Sequence, residues 1–235
     1  MTFAEKIISF LESLEFRGNL PSNVRIMNPF RENPQIMPVV RQFYNRFYDD
    51  DKMRHLILGI NPGRFGAGTT GIPFTDTKRL EEKCGISIPG IKTHEPSSAF
   101  IYEMIDGYGG PEKFYSAFYI SAISPLGFTA PGKGGKHINY NYYDSRELAE
   151  AVFDFMKYSL EEQLRFGIFT DVCFCLGTGK NYKFIEAFNK KFGYFDTIIP
   201  LEHPRFIMQY RSKQKEVYIA RYLSEFAAVK DGNKE

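Results

Sequence analysis

Tryptophan is absent from this chain, cysteine is scarce, and neither sign of charge dominates. With 30 Lys+Arg against 28 Asp+Glu, the formal charge of the 235 residues is only +2. That is too little for a protein that coats nucleic acid through bulk positive charge. No stretch approaches the roughly 20 apolar residues of a membrane span, so no membrane partner is expected. The opening residues, Met1-Thr2-Phe3-Ala4-Glu5-Lys6, lack a basic segment followed by an apolar run, so no secretory signal is expected. The three cysteines, Cys84, Cys173 and Cys175, form no Cys-x-x-Cys pair, which leaves a structural zinc or iron–sulfur site without support. Their odd number fits a reducing, cytoplasmic location.

Aromatic residues are plentiful: 23 Phe and 15 Tyr. Most must be core, yet some fall in loops where a planar ligand could stack. Hydrophobic residues at 43% and charged residues at 25% describe a folded globular chain rather than a disordered one. The length suits one large domain, which we expect to span 1–235, with N-terminal helices over 1–50 packed on it and 230–235 frayed.

Thr2 and Glu5 form a capping-box pattern that opens a helix with Phe3, Ile7, Phe10, Leu11 and Leu14 on one face and Gly18 as its stop. A Pro- and Asn-rich connector (Leu20 to Pro34) precedes a helix through Val39, Val40, Phe43 and Phe47, and Asp49-Asp50-Asp51 reads as a solvated turn. Apolar strands are expected at His55–Ile60, Ala117–Ser121, Val172–Leu176 and Thr197–Ile199. Between them lie helices at Ser97–Ile105, from an Asp144 cap through Leu148, Val152 and Phe155, and at Tyr182–Phe192; a last one carries Ile219, Leu223 and Phe226. Short strands alternating with helices imply a three-layer α/β/α sandwich around a central, mainly parallel four-stranded sheet. Ligands of such folds bind outside the carboxyl ends of the strands. The loops at 61–76, 124–143 and 200–211 all follow strands and should gather there.

The first loop, Gly59-Ile60-Asn61-Pro62-Gly63-Arg64-Phe65-Gly66-Ala67-Gly68-Thr69-Thr70-Gly71-Ile72-Pro73-Phe74, has glycines spaced for neither a Walker loop nor a dinucleotide fingerprint. Gly177-Thr178-Gly179-Lys180 lacks the earlier glycine of a phosphate loop. In and just beyond the third loop, from His203 to Lys215, there are four Lys or Arg residues and no acidic one. Its Phe206, Ile207, Met208 and Tyr210 either form an exposed apolar wedge beside phosphate contacts or fold onto the core.

Taken together, Gly-Ile-Asn-Pro-Gly-x-Phe-Gly with Thr-Gly-Ile-Pro-Phe after the first strand, and x-His-Pro followed by basic residues after the last, resemble the uracil-DNA glycosylase superfamily. The resemblance runs from about Leu56 to Arg211 and is closest to the single-strand-selective monofunctional (SMUG-type) branch, whose first motif reads Gly-Met-Asn-Pro-Gly-Pro-Phe-Gly. It implies that Asn61 orients an attacking water and that His203 stabilises negative charge on O2 of the departing base. It also implies that Phe74 stacks on a flipped base, that Gly63 lines the C5 side, and that backbone near Ile60 and Asn61 contacts the base. DNA would then be the partner, bound by a monomer in the nucleoid, and Arg64, Lys133, Lys136, Arg205, Phe206, Ile207, Arg211 and Lys213 are the candidate contacts. No metal or redox cofactor is expected, and simple hydrolysis without strand cleavage is.

Three departures bear on substrate. Ala122 falls where the branch has an Asn that reads the Watson–Crick edge of uracil; Ser121, Asn139 and Asn141 are candidate substitutes, the two Asn being equally readable as turn formers. Arg64 replaces a Pro, and no Ser-Pro follows His203-Pro204, so the register leaves the wedge open among Phe206, Ile207 and Met208. The base could be uracil, a 5-substituted uracil or a deaminated purine. Two other readings remain at this level: a non-catalytic nucleic-acid-binding module on the same fold, and a nucleotide-binding small-molecule enzyme.

Overall fold

Residues 1–229 are described by the computed structural model; the frayed end expected at 230–235 lies outside them. The chain begins with α1 (Phe3–Ser13), β1 (Arg25–Met27), α2 (Pro29–Glu32), α3 (Ile36–Tyr48) and β2 (Arg54–Gly59). It continues through α4 (Ala67–Thr70), α5 (Thr77–Cys84), α6 (Pro96–Tyr108), α7 (Pro111–Ala117), β3 (Phe118–Ala122), β4 (Gly127–Pro131) and β5 (His137–Tyr140). The last part holds α8 (Arg146–Ala151), α9 (Phe153–Leu164), β6 (Ile168–Leu176), α10 (Lys180–Phe192), β7 (Thr197–Leu201), α11 (Pro204–Tyr210) and α12 (Lys215–Ala228).

The main sheet is the expected one, four parallel strands in the order β3-β2-β6-β7, with Leu56 opposite Tyr119 on one side and Cys173 on the other. Because strand side chains alternate between faces, neighbouring aromatics meet different helices. Phe118 packs on Phe226 of α12 and Tyr108 of α6, whereas Tyr119 packs on Phe3 of α1 and Tyr48 of α3. Those two sets of helices are the outer layers of the sandwich. From β2 the chain crosses to β3 on one side and later to β6 on the other, and the crevice lies where these connections diverge.

Sequence reasoning missed the second sheet, β1-β4-β5, which is antiparallel and occupies parts of the segments read as irregular connectors. Its strands are three to five residues long, and β4 carries Gly and Pro, so they lack a clear alternating pattern. It lies against the loop that follows β2. A Cβ on Gly127 would stand 2.5 Å from the Pro62 carbonyl oxygen, so only glycine lets β4 approach so closely.

Several local readings are corrected. α1 ends at Ser13, well before Gly18, although its capping box is formed as expected. The cap after β5 is Ser145, whose Oγ accepts from the Leu148 N–H; Asp144 instead accepts the Asn141 N–H and closes the preceding turn. The helix expected there breaks at Val152, and Phe155 on its second half is only partly buried, edge-on to Phe16. The acidic triplet is not merely solvated. Asp50 accepts two hydrogen bonds from the wholly buried Arg54 guanidinium, at 2.8 and 3.0 Å. That guanidinium also donates to the Tyr115 and Lys52 carbonyls and lies over the Phe3 and Tyr48 rings. Burial pushes the Asp50 carboxyl up, but hydrogen bonds from Arg54 and the Lys52 N–H, with the charges of both residues, outweigh it and hold the group below its usual value.

Asp50→Asn leaves that buried cation without its counter-charge. Because Asp50 keeps part of its solvent, the expected loss is about 2 kcal/mol, below the 3–5 of a fully buried pair. Urea unfolding measures it, and an unchanged midpoint would show that the pair contributes nothing.

Candidate active site

A cleft of about 350 Å³ opens at the carboxyl ends of β2 and β3 and beside the start of α11. All three strand-end loops reach it, bringing together Ile60, Asn61, Gly63, Phe74, Ser121, Ala122, Asn139, His203, Arg205 and Phe206 from distant parts of the chain.

Asn61 directly follows the Gly59–Ile60 end of β2, and its amide is held at both ends. Oδ1 accepts the Tyr142 N–H at 3.1 Å, and Nδ2 donates to the Tyr140 carbonyl at 3.2 Å. The nitrogen's second hydrogen is taken up by a longer bond to the Pro62 carbonyl at 3.5 Å, whereas the oxygen keeps a second lone pair. The side chain therefore presents a fixed acceptor to the cleft.

Phe74 has φ of +50°, a left-handed conformation that costs a non-glycine residue on the order of 1–3 kcal/mol. Its ring closes over the end of β2, where a Cβ on Gly59 would come within 3.1 Å of it. On the other side the ring is tilted by 50° against the His203 imidazole, centroids 5.6 Å apart. The strain thus goes into holding an aromatic plane at one fixed place.

His203 caps α11. Its Nδ1 accepts the Arg205 N–H at 3.1 Å, so the neutral ring must carry its proton on Nε2. Burial, with the Arg205 charge adding to it, pulls the imidazole pKa down to about 4. Across neutral pH the group is a neutral N–H donor.

Asn139, on β5, accepts the Arg64 N–H with Oδ1 at 3.0 Å and so braces the glycine-rich loop. Asn141 lines the cleft from the turn closed by Asp144. The two asparagines thus divide the roles the sequence left open, one a strand residue facing the cleft and the other a turn residue. Ala122 and Ser121 form the wall at the end of β3.

The basic and apolar candidates separate. Ile207 is wholly buried and cannot meet DNA in this conformation, and Met208 is half-buried against the core. The residues around Ile207 form a helix whose other face is exposed: Phe206 is 42% and Tyr210 63% exposed, with ring centroids 5.6 Å apart. Lys133 and Lys136 sit on the exposed tip between β4 and β5, while Arg211 and Lys213 lie exposed beyond α11. None of these four lines the cleft, and neither does Arg64, whose guanidinium lies over Phe65. Gly177–Lys180 is the turn into α10 and does not line this cleft.

Sequence reasoning missed Glu95, a cleft residue immediately before α6, along with Tyr143 and Gln209. The only cue for Glu95 was its place before Pro96 and two serines, a helix-start pattern that says nothing of a cleft. Burial, and then the nearby Asp76 carboxylate, push its carboxyl up to about 7 against the opposing pull of Arg205. Among the described residues no His/Cys/Asp/Glu group could hold a metal ion, and no helix is long and apolar enough to cross a membrane.

Strand order and the two strand-end motifs already restrict the chain to one class of α/β fold. The sequence profile of the uracil DNA glycosylase superfamily matches residues 46–227, and the chain belongs to that superfamily. Within it, the crystal structure of wild-type SMUG2 from Pedobacter heparinus is similar over almost the whole length. The TM-score is 0.95 and the identity 55%, covering 97% of this chain and 98% of that one. No curated protein matches the sequence.

The state of His203 is open to direct measurement. Nitrogen-15 NMR of the imidazole at pH 6 is expected to give the neutral Nε2–H form, with protonation only near pH 4. An imidazolium or an Nδ1–H tautomer at pH 6 would contradict the geometry.

Proposed function

We propose that this protein is a monofunctional DNA glycosylase that hydrolyses the N-glycosidic bond of a flipped uracil or related deaminated base. The observation that carries the reading is a neutral Nε2–H donor on His203, fixed beside the Phe74 ring in the cleft that also holds Asn61. The glycosidic bond breaks with positive charge growing on the sugar and negative charge on the base oxygens. A preorganised donor at O2 serves that second charge, an effect of about 3 kcal/mol for one donor elsewhere. A neutral imidazole suits the task, since it stabilises the base anion without first having to acquire a proton. Asn61 is too weak a base to deprotonate water, but water attacking a cation-like sugar needs orientation more than deprotonation. The doubly anchored amide supplies that orientation.

The base must leave the stack first, at a cost of a few kcal/mol that is least in single strands and mismatches. Stacking on Phe74 returns on the order of 1–3 kcal/mol of it. The exposed Phe206–Tyr210 pair on the rim would fill or cover the gap left in the DNA, and Arg205 would contact phosphate. Among the described residues no lysine lines the cleft, which favours hydrolysis by water over a Schiff-base route. Joint placement of Asn61 and His203 favours an enzyme over a non-catalytic binding module.

Asn61→Ala and His203→Ala are each expected to slow single-turnover excision of uracil from an oligonucleotide by about 10²–10³-fold, with affinity for abasic DNA within about threefold of wild type. Borohydride should trap no covalent adduct. Binding without any abasic product, for uracil, 5-hydroxymethyluracil, xanthine and hypoxanthine alike, would favour the binding-module reading; a trapped adduct would refute simple hydrolysis.

A further inference from the structure

The cleft contains a carboxyl group for which the mechanism above has no use. Glu95 is anchored by its backbone N–H, which donates to the buried Asp76 carboxylate at 2.6 Å, and its side chain faces the loop after β2. A Cβ on Gly63 would lie 3.3 Å from Glu95 Oε1 and also 3.3 Å from Asn139 Nδ2. The carboxyl and the amide therefore bracket one point on the cleft wall. A Cβ on Gly66 would fall 2.0 Å from Oε2, so this glycine is what gives the carboxyl its room. No hydrogen bond from a described residue reaches either oxygen of Glu95. Asn139 has committed its Oδ1 to Arg64, which leaves Nδ2 as the end that faces the cleft.

Ala122, which lines the cleft from the end of β3, offers it no polar side-chain atom, at the position where the resemblance to the SMUG-type branch implies an Asn that tells uracil from cytosine. A neutral carboxylic acid presents one O–H donor and one carbonyl acceptor, the same pair as an amide; an ionised carboxylate only accepts. We propose that protonated Glu95, together with the Nδ2–H of Asn139, reads the exocyclic carbonyl that distinguishes a deaminated base from its amino-bearing parent. Both groups donate to that oxygen, O4 of uracil or O6 of a deaminated purine. An amino group at the same place would meet the Asn139 donor with a donor of its own and be rejected. This deepens the glycosylase reading and rests on it, including the placing of the base with its C5 side toward Gly63.

The charges around Glu95 keep its two forms close in energy near neutrality. Asp76, itself paired with Arg79 and within 3.6 Å of His94 Nδ1, opposes ionisation from the α5 side. Arg205 on α11 favours ionisation, burial disfavours it, and Asn139 is neutral. Arg64 follows Gly63 on the glycine-rich loop, and His203, neutral at this pH, lines the same cleft from the start of α11. The carboxyl titrates at about 7. Below that value it donates to a carbonyl; above it, the carboxylate repels the carbonyl and accepts from an amine.

The test is single-turnover excision from single-stranded oligonucleotides bearing uracil, xanthine or cytosine, at constant ionic strength between pH 5.5 and 8.5. Wild type should lose rate on uracil above pH 7, approaching tenfold per unit, while its preference for uracil over cytosine narrows. Glu95→Gln, whose amide donates at every pH, should abolish this limb and be faster than wild type on uracil at pH 8.5. Glu95→Ala should be slower than wild type at pH 6 by about tenfold, with an unchanged urea midpoint. A limb that persists in Glu95→Gln, or a wild-type rate that is flat across pH 7, would overturn this inference and leave the glycosylase reading standing. No excision of any base by wild type at any pH would overturn both.

Discussion

The site depends on how firmly the loop after β2 is tied to the small antiparallel sheet. Four glycines within nine residues would leave that loop with a large conformational entropy to lose on ordering. Three ties hold it: both ends of the Asn61 amide on the backbone of 140–142, the Arg64 N–H on Asn139, and the close contact of Gly127 with Pro62. Two of the ties use side chains that also face the cleft. Asn61, proposed to orient the water, is thus also one of the residues that fix the geometry, and the cleft is largely formed before any ligand arrives.

The groups in the cleft are polar but mostly neutral. Burial keeps His203 uncharged, burial and Asp76 keep Glu95 near its point of half-ionisation, and Asn61 and Asn139 are amides. Among the described residues that line the cleft, Arg205 is the one Lys or Arg. A near-neutral cleft suits a neutral base that acquires charge only as its bond breaks. It also agrees with the sequence total of +2, since little of the binding has to come from bulk charge.

Much of this was legible in the sequence. The four core strands were marked by apolar runs such as His55–Ile60 and Val172–Leu176, whose burial on both faces leaves an unbroken hydrophobic signal. Asn61, Phe74 and His203 stood out through the resemblance of their local motifs to the uracil-DNA glycosylase superfamily, and the fold brings all three to one cleft. The small sheet was not: β1 finds its partner some 100 residues away, as with Arg25 and Thr129, and the strands of the local β4–β5 hairpin are short and broken by Gly and Pro. Nor was Glu95, which owes its environment to Gly63, Gly66, Asp76 and Arg205, four residues brought together only by the fold. Ile207 was misread for a related reason. A run of apolar residues after His-Pro does not reveal which face of a seven-residue helix is turned inward.

The most direct test of the account is a crystal structure of the protein with an abasic oligonucleotide and free uracil. The account predicts the uracil ring stacked on Phe74 with O2 toward His203 Nε2, its C4 carbonyl between Glu95 and Asn139, and the abasic sugar facing Asn61. Uracil bound outside this cleft, or DNA running over a different face of the molecule, would contradict it.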